Sequence, residues 1–125
     1  MCAAVADYTP AEVSPVKVKK SDGDMAIRLR RTPDIAASLG AVKGSRLLIG
    51  FALETDHEEE NAQGKLERKN FDLVVLNSLR DKGAGFGGDT NKVTFVTRSG
   101  STAYPLEQKS DVACRIANFV DTFFK

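Results

Sequence analysis

The alternation of apolar runs with helix-forming segments constrains the fold of this chain more than any other feature. Arg46–Leu53 and Phe71–Asn77 are apolar along most of their length, which is typical of buried strands. Between them, the capping-box pattern Thr55-Asp56-His57-Glu58 predicts a helix that runs to about Lys69. Because parallel strands need such a crossover, the pattern predicts an α/β fold with a mainly parallel central sheet flanked by helices.

The first third of the chain predicts further strands. Cys2–Ala6 is an uninterrupted apolar run, typical of a fully buried strand. Tyr8–Pro15 carries two prolines, which predict an irregular loop. Met25–Arg30 alternates between apolar and polar residues, which predicts a strand with one face in water.

The remaining elements are a helix, a hairpin and a second helix. Thr32–Asp34 predicts a helix start, with threonine as N-cap and proline at the first helical position, and Gly40 or Gly44 predicts its end. Lys92–Leu106 predicts an antiparallel hairpin. A last helix is expected from near Ser110, with an apolar stripe made of Val112, Ala113, Ile116, Ala117, Val120, Phe123 and Phe124.

Length and charge narrow the class of protein. The chain has 125 residues, the size of one domain, and a net charge of +1, which argues against a protein that wraps nucleic acid. No apolar run approaches the roughly 20 residues of a membrane helix. Met1–Asp7 lacks the features of a signal peptide. We therefore expect a cytoplasmic protein with neither a nucleic acid nor a membrane as its partner.

Histidine and cysteine are too scarce for most catalytic sites that depend on them. The chain contains Cys2, Cys114 and His57, too few for a zinc site built from cysteine and histidine alone. His57 lies in an acidic run and is expected to be solvated. An enzyme of this composition would rely on lysines, backbone dipoles and a metal ion.

Two lysine groups are candidates for binding an anion. Lys17 and Lys19 share one face of an extended segment, although lysines also protect edge strands from pairing. Lys65 and Lys69 are four residues apart on the predicted helix, although lysines also suit a helix C-terminus. The glycine-rich segment Gly83–Asn91 has the length of a functional loop but lacks a Walker motif.

Six motifs occur in the order found in one enzyme family. They are Ala3-Ala4-Val5-Ala6-Asp7-Tyr8, Lys17-x-Lys19-Lys20, Thr32-Pro33-Asp34-Ile35, Gly50-Phe51-Ala52-x-Glu54-Thr55, Lys65-x-x-x-Lys69-x-x-Asp72-Leu73 and Gly85-Phe86-Gly87-x-Asp89-Thr90-Asn91-Lys92-Val93. Together they cover nearly the whole chain. On these motifs the chain resembles phosphopantothenate–cysteine ligase, which bacteria usually carry fused to a flavin-dependent decarboxylase.

The resemblance implies a Rossmann-like sheet and a two-step reaction in coenzyme A biosynthesis. The carboxylate of 4'-phosphopantothenate attacks the α-phosphate of CTP and releases pyrophosphate. The amine of cysteine then displaces CMP from the acyl-cytidylate. The resemblance also implies Mg²⁺ as cofactor, a homodimer, and FMN only on the fused decarboxylase domain, outside this chain.

The resemblance further implies a nucleotide site, with Lys17 as the catalytic residue that stabilises the activated intermediate. Its binding residues would be Cys2, Ala3, Asp7, Lys17, Pro33, Asp34, Ile35, Ala36, Phe51, Lys65 and Lys69. The metal ligands are not implied. These positions fall at predicted strand ends, at a helix start and on paired lysines, where an anionic nucleotide can bind.

The chain departs from the family pattern in two places. Many bacterial relatives have Ala-Asn-Asp-Val where this chain has Leu76-Asn77-Ser78-Leu79, so the acidic residue is replaced by Ser78. The family's glycine-rich segment before the first strand is also missing. We therefore expect residues 1–125 to be the C-terminal part of a single ligase domain, incomplete at its N-terminus and inactive alone. The alternative is a non-catalytic nucleotide-binding or dimerisation fragment.

Overall fold

The computed structural model describes residues 5–20, 22–78 and 87–125. The chain divides into two units, Met1–Ile35 and Ala36–Lys125. The predicted strand residues Cys2, Ala3 and Ala4 and the first four residues of the glycine-rich segment, 83–86, lie outside the described residues.

The first unit contains a two-stranded antiparallel ribbon. Strand β1 (Tyr8–Pro10) pairs with β2 (Leu29–Arg31). The predicted strand at Cys2–Ala6 is wrong for its described end, since Val5 and Ala6 are exposed and outside any strand. Pairing begins instead at Tyr8, where a loop was predicted, because a proline that lacks an N–H is tolerated at the end of an edge strand.

The predicted strand at Met25–Arg30 is shorter in the structure. Only Leu29–Arg31 forms a strand, and all three residues are exposed. Residues 16–20 and 24–28 have no regular structure. Alternation predicts a strand only where one face is buried, and here Met25 and Ile27 are exposed as well.

In the part of the chain that the structure describes, the second unit carries three helices and most of the strands. Its elements in chain order are α1 (Ile35–Ala41), whose first residue belongs to the first unit, β3 (Ile49–Glu54), α2 (Glu58–Arg68), β4 (Leu73–Ser78), β5 (Thr90–Asn91), β6 (Val93–Thr97), β7 (Gly100–Ala103), β8 (Glu107–Gln108) and α3 (Lys109–Phe123). The main sheet has the strand order β3-β4-β6-β7, and β5 pairs with β8. The short β5–β8 ribbon was not predicted.

The predicted α/β class and the antiparallel hairpin β6–β7 are confirmed. The pairing in the described main sheet is mixed, since β3 and β4 are parallel whereas β4–β6 and β6–β7 are antiparallel. The expected majority of parallel pairs is therefore not found in this part of the chain. Among the described strands, only β3 and β4 are joined by a crossover helix, α2, and the hairpin places its first strand beside β4.

Strand β4 carries the core on both of its faces, as its apolar sequence predicts. One face packs against α2 in a cluster of Ala52, Ala62, Leu66, Phe71, Val74, Leu76 and Val96. The other face packs against α3, with Leu73, Val75, Val93, Phe95 and Val112 buried and Ile49, Tyr104, Ile116 and Phe119 partly buried around them. Strand β3, predicted to be buried throughout, instead leaves Phe51 and Leu53 exposed because it is the edge strand of the described sheet.

The predicted helix starts are displaced by a few residues. Helix α1 begins at Ile35, and Thr32, predicted as its N-cap, donates its hydroxyl to Ala6 O at 2.7 Å instead. Helix α2 begins at Glu58, with the exposed His57 as N-cap at a φ of 45° and no side-chain cap hydrogen bond. The capping box at Thr55 is therefore wrong, because the left-handed turn at His57 moves the helix start.

Helix α3 uses a narrower apolar stripe than predicted. Val112, Ile116 and Phe119 pack against the core, although Phe119 was not in the predicted stripe. Ala113 and Ala117 are exposed, and Phe123 and Phe124 remain exposed at the end of the helix.

Close packing requires glycine at two positions around the sheet. A Cβ at Gly40 of α1 would lie 2.0 Å from the carbonyl oxygen of Lys69 at the end of α2. A Cβ at Gly50 of β3 would lie 2.5 Å from the ring of Phe71. Both distances are shorter than any van der Waals contact. The absence of a side chain at these two glycines therefore allows α1 to pack closely on the end of α2 and Phe71 to pack on β3.

Candidate functional site

Polar side chains gather at the carboxyl end of the parallel pair β3–β4. Glu54 and Ser78, the last residues of the two strands, are register partners. Helix α2 starts four residues after Glu54, so its first turns supply further polar groups. In α/β sheets this end of the strands is where ligands bind.

The carboxylate of Glu54 joins β3 to α2. Its Oε1 lies 2.5 Å from Lys65 Nζ, and its Oε2 accepts a hydrogen bond of 3.2 Å from Asn61 Nδ2. Asn61 Nδ2 also donates to Asp56 O at 2.9 Å. The side chain of Glu54 is 13% exposed and that of Lys65 is 35% exposed. The carboxylate is thus largely enclosed, whereas the ammonium still reaches solvent.

The end of β4 is held by two more polar contacts. Ser78 Oγ donates to Glu58 Oε1 at 2.6 Å. Asn91 Nδ2 donates to Asn77 Oδ1 at 2.7 Å. A carboxylate from α2 therefore contacts the serine at the end of β4, and the second contact joins the end of the glycine-rich segment to β4.

Lys69 occupies a different place from Lys65. It is the C-cap of α2, and its N–H donates to Lys65 O at 3.0 Å. Its carbonyl faces Gly40 of α1. The two predicted binding lysines thus lie four residues apart at the end of α2, and the side chain of Lys65 reaches the carboxyl end of β3.

Phe51 is 68% exposed and points away from α2. Side chains alternate along β3, so Phe51 shares the face of Ile49, which packs against the α3-side cluster, whereas Ala52 packs against the α2-side cluster. The structure therefore places Phe51 on the sheet face opposite to that of Glu54 and Lys65. Ala36 packs against the α2-side cluster.

The predicted site residues of the first unit fall into three groups. Asp7 O accepts the N–H of Thr32 at 2.9 Å, which brings Asp7 close to the chain that continues through Pro33, Asp34 and Ile35. Lys17 is exposed in a segment without regular structure. Cys2 and Ala3 lie outside the described residues.

Within residues 5–20, 22–78 and 87–125, no three His, Cys, Asp or Glu side chains are grouped so that they could hold a metal ion. These residues thus do not fit a protein-only Mg²⁺ site. Proteins commonly bind Mg²⁺ through one or two carboxylates together with substrate phosphates, so Mg²⁺ stays a prediction. The helices in the same ranges are too short or too polar to cross a membrane.

Sequence reasoning missed Glu54 and Asn61 as members of this site. Glu54 stands in the quoted motif Gly50-Phe51-Ala52-x-Glu54-Thr55, without a role. Asn61 and Lys65 are four residues apart, which places them on one face of a helix. That spacing, next to an acidic residue at a strand end, was the available signal.

Comparison with known proteins assigns the family. The family described as the DNA/pantothenate metabolism flavoprotein C-terminal domain matches residues 1–123. The chain belongs to this family. The resemblance noted from the six motifs is therefore confirmed.

Two similar proteins are much longer than this chain. The chain is 47% identical over 115 residues to the coenzyme A biosynthesis bifunctional protein CoaBC of Bacillus subtilis, covering 91% of this chain and 28% of that protein. It is 52% identical over 118 residues to a cysteine/cysteine sulfinic acid decarboxylase of an unknown prokaryotic organism, covering 93% of this chain and 33% of that protein. The chain thus spans about a third of these relatives.

Two solved structures agree with the fold. The C-terminal domain of the bifunctional protein CoaBC matches with a TM-score of 0.72 and 37% identity, over 98% of this chain and 52% of that one. A Cab2 mutant in complex with phosphopantothenate-cysteine matches with a TM-score of 0.58 and 21% identity, over 85% of this chain and 37% of that one. The second likeness bears on the fold alone.

Proposed function

We propose that this chain is the nucleotide-binding part of a CTP-dependent phosphopantothenate–cysteine ligase of coenzyme A biosynthesis, and that residues 1–125 are the C-terminal part of one ligase domain. The observation that carries the proposal is the ammonium of Lys65, held by Glu54 at the carboxyl end of the parallel strands. Membership of the flavoprotein C-terminal family and the CoaBC relatives support it.

In the proposed reaction, a carboxylate oxygen of 4'-phosphopantothenate attacks the α-phosphorus of CTP and pyrophosphate leaves. The amine of cysteine then attacks the acyl carbon, an amide forms, and CMP leaves with the bond electrons. Such transfers depend on positioned cations more than on a covalent nucleophile. This requirement suits a chain with one histidine and 18 lysines and arginines.

The proposal assigns roles to the chain's own residues. Lys65 and Lys69 neutralise the phosphates of the nucleotide, and the ring of Phe51 contacts its base. Asp7 and the segment Pro33–Ala36 complete the nucleotide site. Lys17, exposed on a segment without regular structure, stabilises the charge of the activated intermediate.

The proposed function also includes a metal ion, a flavin outside this chain, a homodimer and a cytoplasmic location. Mg²⁺ accompanies the nucleotide phosphates and offsets their charge, and FMN belongs to the decarboxylase part of bifunctional relatives. The chain works in the cytoplasm as a homodimer. Exposed apolar residues of the first unit, among them Val13, Val16, Val18, Met25 and Ile27, support pairing with a second copy.

A chimeric ligase tests this function. The segment of Bacillus subtilis CoaBC that matches this chain is replaced by the chain, and CMP and pyrophosphate are measured with phosphopantothenate, cysteine, CTP and Mg²⁺. We expect product that depends on both acceptor substrates. A folded chimera that binds CTP but releases no CMP would contradict the proposed reaction.

The 125-residue chain alone provides the second arm. We expect no CMP formation from it, because it spans about half of the CoaBC C-terminal domain to which it is similar. Turnover by the chain alone, dependent on phosphopantothenate and cysteine, would show that this part of the proposal is wrong. Size exclusion with and without CTP and Mg²⁺ tests the homodimer, and a dimer without CTP binding would favour the dimerisation fragment.

A further inference from the structure

The carboxylate of Glu54 has both oxygens engaged by α2. Oε1 contacts Lys65 Nζ and Oε2 accepts from Asn61 Nδ2. Asn61 is held in turn by Asp56 O. A carboxylate with a separate partner on each oxygen cannot rotate without losing one of them, so its orientation is set by two side chains of α2, Asn61 near the start of the helix and Lys65 in its last turn.

The ammonium of Lys65 is oriented by Glu54 and keeps N–H donors for a further hydrogen bond. An ammonium has three N–H donors, and among the described residues Glu54 is its polar partner. The lysine side chain runs back toward the start of its helix, as long side chains in helices do. It therefore ends at the carboxyl end of β3, where its 35% exposure leaves donors for an incoming anion.

We infer that Glu54 is a positioning residue for the nucleotide site: it holds Lys65 Nζ in the place where that ammonium binds a phosphate group. This inference rests on the proposed function. Glu54 does not touch the nucleotide, and it acts through Lys65. Asn61 supports Glu54 from the other side.

Two other roles for Glu54 make opposite predictions. If the carboxylate competed with phosphate for Lys65, its removal would strengthen nucleotide binding. If it only joined α2 to β3, its removal would lower stability and leave nucleotide affinity unchanged. A positioning role predicts weaker binding that depends on Lys65 being present.

A double-mutant cycle in the chimeric ligase tests the inference, with the dissociation constant of CTP from calorimetry as the readout. Lys65→Ala should weaken CTP binding by about 10- to 100-fold. Glu54→Ala should weaken it by about tenfold, and the double variant should bind no more weakly than Lys65→Ala alone. Glu54→Gln, which keeps one acceptor oxygen for the ammonium, should fall between the unaltered protein and Glu54→Ala.

Matched measurements separate positioning from folding. Glu60→Ala removes an exposed carboxylate from the same helix and should leave the dissociation constant unchanged. Thermal unfolding without nucleotide identifies any variant that has lost its fold, and Glu54→Gln then carries the comparison in place of Glu54→Ala.

The outcomes distinguish this inference from the proposed function. Tighter CTP binding by Glu54→Gln, unchanged binding by Glu54→Ala, or additive effects in the double variant would overturn the positioning role while product formation upholds the ligase. CTP binding without product would contradict the ligase reaction alone. A folded chimera that neither binds CTP nor forms product would overturn both.

Discussion

Two ion pairs of the same length lie at opposite ends of the β3–β4 pair. Lys43 Nζ lies 2.5 Å from Asp72 Oδ1 just before the strands begin, and Lys65 Nζ lies 2.5 Å from Glu54 Oε1 where β3 ends. In the first pair the side chains are 13% and 14% exposed. In the second pair the carboxylate is equally enclosed, but the lysine is 35% exposed.

The partners of each carboxylate explain this difference. Asp72 Oδ2 accepts the N–H of Leu48 at 2.8 Å, and the N–H of Asp72 donates to Leu48 O at 2.9 Å. This pair therefore fastens the entry to β3 onto the entry to β4, and its lysine is enclosed. The pair at the other end fastens a helix to a strand and leaves its lysine open. Two ion pairs of equal length thus have different roles: the Lys43–Asp72 pair stabilises the fold, and we propose that the Lys65–Glu54 pair contributes to binding.

The largest effect is expected for Asp72→Ala, which removes the acceptor for both Lys43 and Leu48 N–H. Loss of one partner from an enclosed pair should lower the free energy of unfolding by about 3–5 kcal/mol. Urea unfolding of the chain measures it, with the exposed Asp121→Ala on α3 as a control. A loss below about 1 kcal/mol would mean that the enclosed pair behaves like a surface pair, and the contrast between the two ends would fail.

Lys17→Gln tests a lysine that belongs to neither ion pair, since Lys17 lies exposed outside regular structure. In the chimeric ligase we expect turnover to fall by about 10²–10³, while CTP affinity changes much less. The reason is that charge builds up in the transition state, where this ammonium would act. Steady-state kinetics with a pyrophosphate-release assay measure the effect.

Lys19→Gln is the matched control for Lys17→Gln, since Lys19 is an exposed lysine of the same segment. Near-normal turnover of Lys17→Gln would show that the family role does not transfer to this position. An equal loss in both variants would point to the charge of the whole segment.

The smallest effect on stability is expected when Lys65 and Lys69 are both replaced by glutamine. If they only complemented the dipole of α2, the change would cost less than about 2 kcal/mol and leave CTP affinity unaltered. We expect that small cost together with CTP binding weakened by at least about tenfold, measured by calorimetry on the chimeric ligase. An unaltered dissociation constant would show that both lysines only complement the dipole of α2.

Sequence patterns were enough to predict the elements that are almost completely buried and the hairpin, in which the chain reverses its direction. Strand β4 is apolar and buried from Leu73 to Leu76, and β7 of the hairpin begins at Gly100, whose φ is 137°. The six motifs likewise sufficed for the family. Local chemistry determines these features, because a continuous apolar run and a tight turn allow few alternatives.

Only the tertiary structure decided which charged residues meet. The parallel register sets Glu54 beside Ser78, and the helix that follows brings Lys65 back to Glu54, 11 residues later in the chain. The same packing replaced the predicted capping box at Thr55 by a left-handed turn at His57, and it left Phe51 exposed on an edge strand. Such outcomes depend on the alignment of whole elements, and a spacing of residues along one segment does not contain that information.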